Sequence, residues 1–215
     1  MQFVFEQIRP GGDRNFGYLL GDRDARVAAA VDPSFDPGLF AARAEAQGLR
    51  ITHILNTHGH ADHVNGNAEL QRITGAAVAA HPSLRPDLPL EDGAELAVGS
   101  LTIRSFQMPG HTPDHLLFSL AAQRVALTGD LLFVGKVGGT ATEEEARAEY
   151  ESLRRLLREL PPETTVWPGH DYGCRPSSTL ALEMLANPFL SAADFPAFRK
   201  LKAGWPDFKA RHGLR

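Results

Sequence analysis

The chain lacks features that would place it in several classes of protein. It has a single cysteine, Cys174, which excludes an intrachain disulfide and favours a reducing, cytoplasmic location. Its 22 lysines and arginines are outnumbered by 26 aspartates and glutamates, and the net charge of -4 gives no reason to expect nucleic acid as a partner. No apolar run approaches the length of a membrane span, and the N-terminal residues lack the basic and apolar regions of a signal peptide. The composition therefore predicts a soluble globular protein without a membrane partner.

Ligand-type side chains, in contrast, are concentrated in the stretch Thr57-His58-Gly59-His60-Ala61-Asp62-His63. Imidazole and carboxylate groups are the usual ligands of zinc and other first-row transition metals. A packed core does not accommodate four such side chains in close succession, because each would need its own buried partner. The stretch therefore predicts a metal-binding loop between a buried strand and a helix.

A glycine followed by a ligand-type side chain recurs after three later strands. These turns are Gly110-His111, Gly129-Asp130 and Gly169-His170. Strand ends along one rim of a sheet bring together side chains from distant parts of a chain. The complete set of candidate ligands is His58, His60, Asp62, His63, His111, Asp130 and His170. Seven ligands are too many for one tetrahedral zinc, and they suit two metals that share a bridging carboxylate.

The hydrophobic patterning predicts strands in both halves of the chain with helices interleaved between them. The turn residues 21–24 predict a hairpin of the first two strands, and Thr142 with Glu145 predicts a capping box at the start of a helix. The predicted strands are 16–20, 27–31, 51–56, 76–80, 101–106, 116–120, 124–128 and 164–167, and the predicted helices are 37–47, 67–73, 142–160 and 177–186. The glycine-rich segment 135–140 is predicted to be flexible and exposed. The pattern favours a single domain over residues 1–215, with a helical, basic C-terminal segment from about residue 177 to residue 215.

In combination these motifs resemble the signature of the metallo-β-lactamase-fold superfamily, over roughly residues 15–190. The resemblance implies an α+β fold, namely an αββα sandwich of two mixed sheets flanked by helices, with a metal site at one edge. The implied ligands of the first metal are His58, His60 and His111, and those of the second are Asp62, His63 and His170. Asp130 would bridge the two metals together with a hydroxide, and Asp62 would also orient that hydroxide or accept its proton. These two aspartates are therefore the candidate catalytic residues.

Two subfamilies are similar over more than the ligands. The additional similar stretches are Tyr18-Leu19-Leu20-Gly21-Asp22, Glu91-Asp92-Gly93, Gly110-His111-Thr112-Pro113, Thr128-Gly129-Asp130 and His170-Asp171-Tyr172. Resemblance to the hydroxyacylglutathione hydrolases (glyoxalase II) implies a thioesterase that uses a metal-bound hydroxide, with two zinc ions or a mixture of zinc, iron and manganese. Resemblance to the persulfide dioxygenases implies a single iron held by His58, His111 and Asp130, acting on glutathione persulfide. The thioesterase is the leading hypothesis, and the dioxygenase is the alternative.

The residues that would select the substrate depart from the pattern of both subfamilies. Both tend to follow the bridging aspartate with a Cys-Gly-Arg or Cys-Gly-Lys turn whose basic residue helps bind glutathione. This chain has Val137-Gly138-Gly139, with Lys136 displaced by three positions. Lys136 and Tyr172 are the candidate substrate contacts, and their alternatives are a solvated lysine and a packed aromatic ring. The implied substrate is a small-molecule thiol conjugate or another acyl compound.

The C-terminal segment 199–215 carries six lysines or arginines and one aspartate. This bias predicts a rim that attracts an anionic substrate, such as a carboxylate-bearing thiol conjugate. The alternatives are a solvated tail and the contact surface of a homodimer. The sequence leaves these three interpretations open.

Overall fold

The structure is a computed structural model that describes residues 2–213, without the side chain of His212. The strands are β1 (Phe3–Gly11), β2 (Asn15–Asp22), β3 (Val27–Val31), β4 (Arg50–Leu55), β5 (Ala77–Ala80), β6 (Leu88–Pro89), β7 (Glu95–Val98), β8 (Leu101–Gln107), β9 (Leu116–Leu120), β10 (Val125–Gly129), β11 (Leu132–Phe133), β12 (Lys136–Val137), β13 (Thr165–Pro168) and β14 (Ser178–Thr179). The helices are α1 (Pro37–Ala46), α2 (Ala61–Val64), α3 (Asn67–Thr74), α4 (Glu143–Glu159), α5 (Leu180–Ala186) and α6 (Phe195–His212).

Most of the strands form two mixed sheets. The first sheet has the order β1-β2-β3-β4-β5-β6, and the second has the order β14-β13-β10-β9-β8-β7. In the first sheet β3, β4, β5 and β6 are parallel, whereas β1, β2 and β3 are joined in antiparallel pairs. In the second sheet only the β10–β13 pair is parallel. The predicted hairpin of β2 and β3 is confirmed: Tyr18 is paired with Val31 at one end of the two strands, and Asp22 is paired with Val27 at the other.

Alternating side chains along the strands build three separate layers of core. In β2, Tyr18 and Leu20 face the second sheet, whereas Leu19 faces the helices α1 and α3. In β9, Phe118 faces the first sheet and Leu117 faces the helices α4 and α6. The period of two therefore places one core between the sheets and one under each pair of helices. This is the αββα sandwich that the family resemblance implied.

The helices are specified by local sequence signals. Thr142 caps α4 in the predicted capping box, since its hydroxyl accepts from the N–H of Glu145 and the Glu145 carboxylate accepts from the N–H of Thr142. The apolar side of α4, including Leu153 and Leu156, packs on the second sheet together with Phe198 of α6. These helices hold the sheet edge that carries the candidate ligands.

The glycine-rich segment 135–140 differs from its prediction as a flexible, exposed loop. Lys136 and Val137 form β12, which pairs with β11, and Val137 and Gly138 are buried. A Cβ atom at Gly138 would lie 2.1 Å from the carbonyl oxygen of Asp130, so only glycine fits at this close approach. Gly138 therefore reflects tight packing beside the candidate site, whereas Gly139 is exposed as predicted.

None of the helices in the described part of the chain is long and apolar enough to cross a membrane. The single domain over residues 1–215 and the homodimer stay predictions. Arg215, the last cation of the basic C-terminal segment, lies outside the described residues.

Candidate metal centre

The candidate ligands lie at strand ends along one edge of the sandwich. The 57–63 loop follows β4 in the first sheet, whereas Asp130 and His170 follow β10 and β13 in the second. Because β10 and β13 are parallel neighbours, their carboxyl ends place Asp130 and His170 side by side. The two sheets are joined at this edge, since the N–H of Phe16 donates to the carbonyl of Gly169 at 2.8 Å. The fold thus brings together ligands that are far apart in sequence.

The first group of candidate ligands is His58, His60 and His111. Nδ1 of His60 lies 3.0 Å from Nε2 of His58 and 3.0 Å from Nε2 of His111. The outer Nδ1–H of His111 donates to the carbonyl of Gly139 at 2.8 Å, which fixes the orientation of the ring. Three ring nitrogens converge in this way when they surround a common ion. This group matches the ligand set implied for the first metal.

The second group is Asp62, His63 and His170. Nε2 of His63 lies 3.2 Å from Nε2 of His170, and Oδ2 of Asp62 lies 3.4 Å from Nε2 of His170. The Asn15 amide donates to Oδ2 of Asp62 at 3.0 Å, and Nδ1–H of His170 donates to the carbonyl of Asp13 at 2.9 Å. Each ligand therefore has a partner that orients it, as metal ligands commonly do.

Asp130 lies between the two groups. Its Oδ1 is 3.5 Å from Nε2 of His63, and its Oδ2 is 3.6 Å from Nε2 of His111 and 3.4 Å from Nε2 of His170. Oδ1 is buried and has no hydrogen-bond partner among the described residues. A buried carboxylate oxygen without a donor is costly, and a cation would satisfy it. The donor set therefore fits bound metal, with Asp130 in the bridging position.

Electrostatics favour the cation-binding form of His58 and Asp130 but the protonated form of His63. Burial holds the pKa of His58 far below its usual value, so this ring is neutral at pH 7. Burial also lowers the pKa of His63, but the charge of Asp32 outweighs this and raises the pKa to about 9. Burial would raise the pKa of Asp130, yet the hydrogen bond from His170 and the charge of His63 hold it well below its usual range. Asp130 is therefore ionised, and binding of a metal at His63 displaces a proton.

Asp32 supports both halves of the site and was missed by the sequence analysis. Its Oδ2 accepts from Oγ1 of Thr57 at 2.7 Å and from Nδ1 of His63 at 3.0 Å, and its Oδ1 accepts from the N–H of Thr57 at 2.9 Å. Oγ1 of Thr57 in turn accepts from Nδ1 of His58 at 3.0 Å. Asp32 also has φ of 48°, a left-handed conformation that aspartate tolerates better than most residues. The sequence signal that could have identified Asp32 is its position directly after β3, because β3 is the parallel neighbour of the strand β4 that leads into the 57–63 loop.

We expect Asp32→Asn to weaken metal binding about 10- to 100-fold, the usual range when such an orienting contact is lost. In either orientation the new NH₂ group faces a donor, Thr57 or His63, and the negative charge beside His63 is removed. Equilibrium titration with a competing chelator measures the change. The matched control is Asp36→Asn, because asparagine caps α1 as well as aspartate does. Unchanged metal affinity in Asp32→Asn would show that this contact does not position the ligands.

Two further residues brace the ligand loops. The N–H of Gly59 donates to Oδ2 of Asp114 at 2.8 Å, which ties the 57–63 loop to the turn after His111. The N–H of Asp130 donates to Nε2 of His115 at 3.1 Å, and the buried His115 ring stacks on His58 with centroids 5.4 Å apart. Asp114 and His115 therefore hold the backbone of the loops that carry the candidate ligands.

The candidate substrate contacts Tyr172 and Lys136 lie together at the rim. The Tyr172 ring stacks on His170, with centroids 4.6 Å apart and an interplanar angle of 5°, and its hydroxyl donates to Asp13 at 2.7 Å. Nζ of Lys136 lies 4.2 Å from the Tyr172 ring centroid, and the guanidinium carbon of Arg14 lies 4.6 Å from it. The Tyr172 ring therefore stacks on a candidate ligand and lies against two cations beside the site.

Two of the cations in the basic C-terminal segment are paired with glutamates and are not free at the rim. Lys202 forms a buried ion pair with Glu149, and Arg199 pairs with Glu143 at 2.8 Å. Helix α6 instead lines one wall of a cavity of about 470 Å³, formed with the 136–142 segment and the side chains of Phe189 and Trp205. The cavity adjoins the candidate metal centre through Gly139, whose carbonyl accepts from Nδ1 of His111.

Comparison with known proteins agrees with the fold and the ligand pattern. The model of the metallo-beta-lactamase superfamily matches residues 18–94 and 82–170, and the chain belongs to this superfamily. The hydroxyacylglutathione hydrolase of Methylococcus capsulatus is 39% identical over 164 residues, which cover 74% of this chain. The match spans 62% of that protein, so the chain corresponds to about three-fifths of its length.

Relatives of a second kind are similarly close. The human mitochondrial persulfide dioxygenase ETHE1 is 33% identical over 181 residues, which cover 82% of this chain and 71% of that protein. The crystal structure of ETHE1 from Myxococcus xanthus superposes with a TM-score of 0.87 at 30% identity, and the match covers 94% of this chain and 91% of that one. The named relatives are enzymes of two classes, a hydrolase and a dioxygenase.

Proposed function

We propose that the chain is a metal-dependent hydrolase that cleaves a thioester or a related acyl bond at a two-metal centre. The observation that carries this proposal is the second ligand group. Asp62, His63 and His170 converge separately from the first group, and each has its own orienting partner. A two-metal reaction uses this second oriented set directly, whereas a one-metal reaction would leave it to the substrate or the fold. The similarity to hydroxyacylglutathione hydrolases supports the same class of reaction.

Metal ions bound at this centre would lower the pKa of a water molecule to about 7 and polarise the acyl oxygen of the substrate. The Asp130 carboxylate and the His58 ring are already in the form that binds metal, whereas His63 gives up a proton when a metal binds. Asp130 is buried and ionised between the groups. Asp62 is partly exposed at the mouth and held by Asn15, where it can orient the attacking water or accept its proton. No serine or cysteine nucleophile is required.

The rim favours an anionic thiol conjugate as the substrate. Lys136 and Arg14 place two cations on the Tyr172 ring beside the centre. Next to them, the cavity between the 136–142 segment and α6 offers apolar surface from Phe189 and Trp205. A carboxylate-bearing thiol would find charge at the rim and apolar contact in the cavity. This arrangement supports Lys136 and Tyr172 as substrate contacts.

We expect Lys136→Met to raise KM for an anionic thioester about tenfold at pH 7 and to change kcat little. Burial, together with repulsion from Lys209 and Arg14, lowers the pKa of Lys136 to about 8. The ammonium is therefore present below pH 8 and lost above it. In the unmodified protein KM should rise between pH 7 and pH 9, whereas the KM of Lys136→Met should stay flat across this range. The matched control is Lys200→Met at an exposed lysine of α6. Equal pH profiles in all three proteins would exclude Lys136 as a substrate contact.

A panel of thioesters tests the proposed reaction. The metal-loaded protein should release free thiol from glutathione thioesters or other carboxylate-bearing thioesters, and faster than from thioesters of uncharged thiols. Release of thiol is followed with a chromogenic disulfide. Absence of thiol release from every member of the panel, in protein that holds its metal, would contradict the proposal.

One observation favours a second candidate function, the oxidation of a persulfide at a single iron. The structural likeness to ETHE1 from Myxococcus xanthus extends over nearly the whole of both chains. In this case His58, His111 and Asp130 would hold the iron, and the residues of the second ligand group would serve the substrate or the fold. Oxygen consumption with glutathione persulfide separates this candidate from the hydrolase.

A further inference from the structure

A buried ion pair connects the C-terminal helix to the metal centre. Lys202 of α6 forms an ion pair with Glu149 of α4, and Nζ of Lys202 also donates to the carbonyl of Gly138 at 2.8 Å. The Lys202 side chain is 13% exposed and the Glu149 side chain is 0% exposed. A lysine and a glutamate are rarely buried to this degree. The burial of this ion pair therefore indicates a role that solvated surface charges do not have.

The segment held by Lys202 touches two candidate ligands. The carbonyl of Gly139, the next residue after Gly138, accepts from Nδ1 of His111 at 2.8 Å. A Cβ atom at Gly138 would lie 2.1 Å from the carbonyl oxygen of Asp130 and 3.2 Å from Cβ of His111. Any displacement of this segment therefore moves the backbone on which His111 is oriented.

Glu149 lies beneath the same ligand from the other side. Gly110 precedes His111 with φ of 149°, and a Cβ atom there would lie 2.3 Å from Cβ of Glu149 and 2.6 Å from its backbone nitrogen. A Cβ atom at Gly138 would also lie 3.1 Å from Oε1 of Glu149. Gly110, directly before His111, and Gly138, directly before Gly139, therefore both pack against Glu149 of α4.

We infer that the Lys202–Glu149 pair positions His111, by fixing the Gly138–Gly139 segment against the turn that carries this ligand. The inference rests on the proposed metal centre. A purely stabilising role is the weaker explanation, because buried ion pairs contribute little net stability and apolar replacements of similar volume are often neutral or stabilising. Lys202 and Glu149 are positioning residues, since neither reaches the ligand nitrogens.

The first test is Lys202→Met, which keeps the length and apolar stem of the side chain and removes its three donors. Stepwise titration of the metal-free protein with Co²⁺, followed by its absorption bands, should show about tenfold weaker binding of one ion and unchanged binding of the other. The weakened ion should be the one whose absorption is removed by His111→Ala. The matched control is Arg199→Met, one turn earlier on α6, which removes only the exposed pair with Glu143. This control should bind both ions with unchanged affinity.

The double variant Glu149→Leu/Lys202→Met separates positioning from stability. It restores a fully apolar contact, so its thermal midpoint should return toward that of the unmodified protein. It does not restore a donor to the Gly138 carbonyl, so the selective loss of Co²⁺ affinity should remain. Recovery of both stability and affinity in the double variant would overturn the inference, as would unchanged affinity in a folded Lys202→Met. Failure of the unmodified protein to bind Co²⁺ would instead reject the proposed metal centre itself.

Discussion

In the proposed cleavage of a thioester, we expect Asp130→Asn to lower kcat about a thousandfold, equivalent to about 4 kcal/mol of transition-state stabilisation. Asp130 is the one carboxylate of the site that lies close to ligands of both groups, within 3.6 Å of His111 and 3.5 Å of His63. Asparagine keeps the size of the side chain but removes the negative charge and offers an NH₂ group toward one of these nitrogens. The substitution therefore removes the carboxylate shared by the two ligand groups and leaves the packing of the surrounding strands unchanged.

Steady-state kinetics and metal analysis of the same Asp130→Asn sample measure this effect. The far-UV circular dichroism spectrum should be unchanged, because the N–H of Asp130 still donates to His115. Asp92→Asn is a suitable control, since Asp92 is a partly exposed partner of Arg155 outside the ligand groups. Near-normal kcat in Asp130→Asn would remove Asp130 from its bridging position in the mechanism.

Removal of metal by a strong chelator should abolish activity and leave the protein folded. The three hydrophobic core layers are built by sheets and helices and do not include the candidate ligands. A closed structural zinc site has four protein ligands of its own and commonly determines whether the domain folds, whereas each group here has three ligands of its own and shares Asp130 with the other. We therefore expect a cooperative unfolding transition without metal, with a midpoint lowered only by the lost binding energy.

Re-addition of metal should restore activity without a refolding step. A scan of ellipticity against temperature, with and without chelator, provides the measurement. His60→Ala serves as a genetic counterpart, because His60 is exposed and contributes one ligand to the first group. Loss of the cooperative transition on chelation would identify a structural metal site and would contradict a catalytic centre of this kind.

Local patterns were sufficient to predict most of the fold. The turn residues 21–24 predicted the hairpin of β2 and β3, and Thr142 with Glu145 predicted the start of α4. The strand β1 was not predicted, although Gly11-Gly12-Asp13 is a local turn signal for its hairpin with β2. The strand β7 and the two-residue strands β6, β11, β12 and β14 were not predicted either. The convergence of the seven candidate ligands was predicted because each follows a strand, and strand ends of these sheets share one edge.

The residues that support the ligands were harder to predict because their roles depend on contacts across the fold. Asp32 reads locally as a strand terminator, and only the parallel pairing of β3 with β4 places it against His63. Lys202 reads as one cation of a basic segment, and only the packing of α6 on α4 buries it against Glu149. The glycines 138 and 139 suggested a mobile loop, whereas the small size of Gly138 permits close packing against Asp130.

The most direct test of the two-metal hydrolase combines metal analysis with oxygen measurement on one preparation. Protein purified without added metal is analysed for zinc, iron and manganese, and is then assayed on a glutathione thioester and on glutathione persulfide in an oxygen electrode. The proposal predicts two metal ions per chain and release of thiol from the thioester without oxygen consumption. One iron per chain, with oxygen uptake on glutathione persulfide and no thioester cleavage, would contradict it.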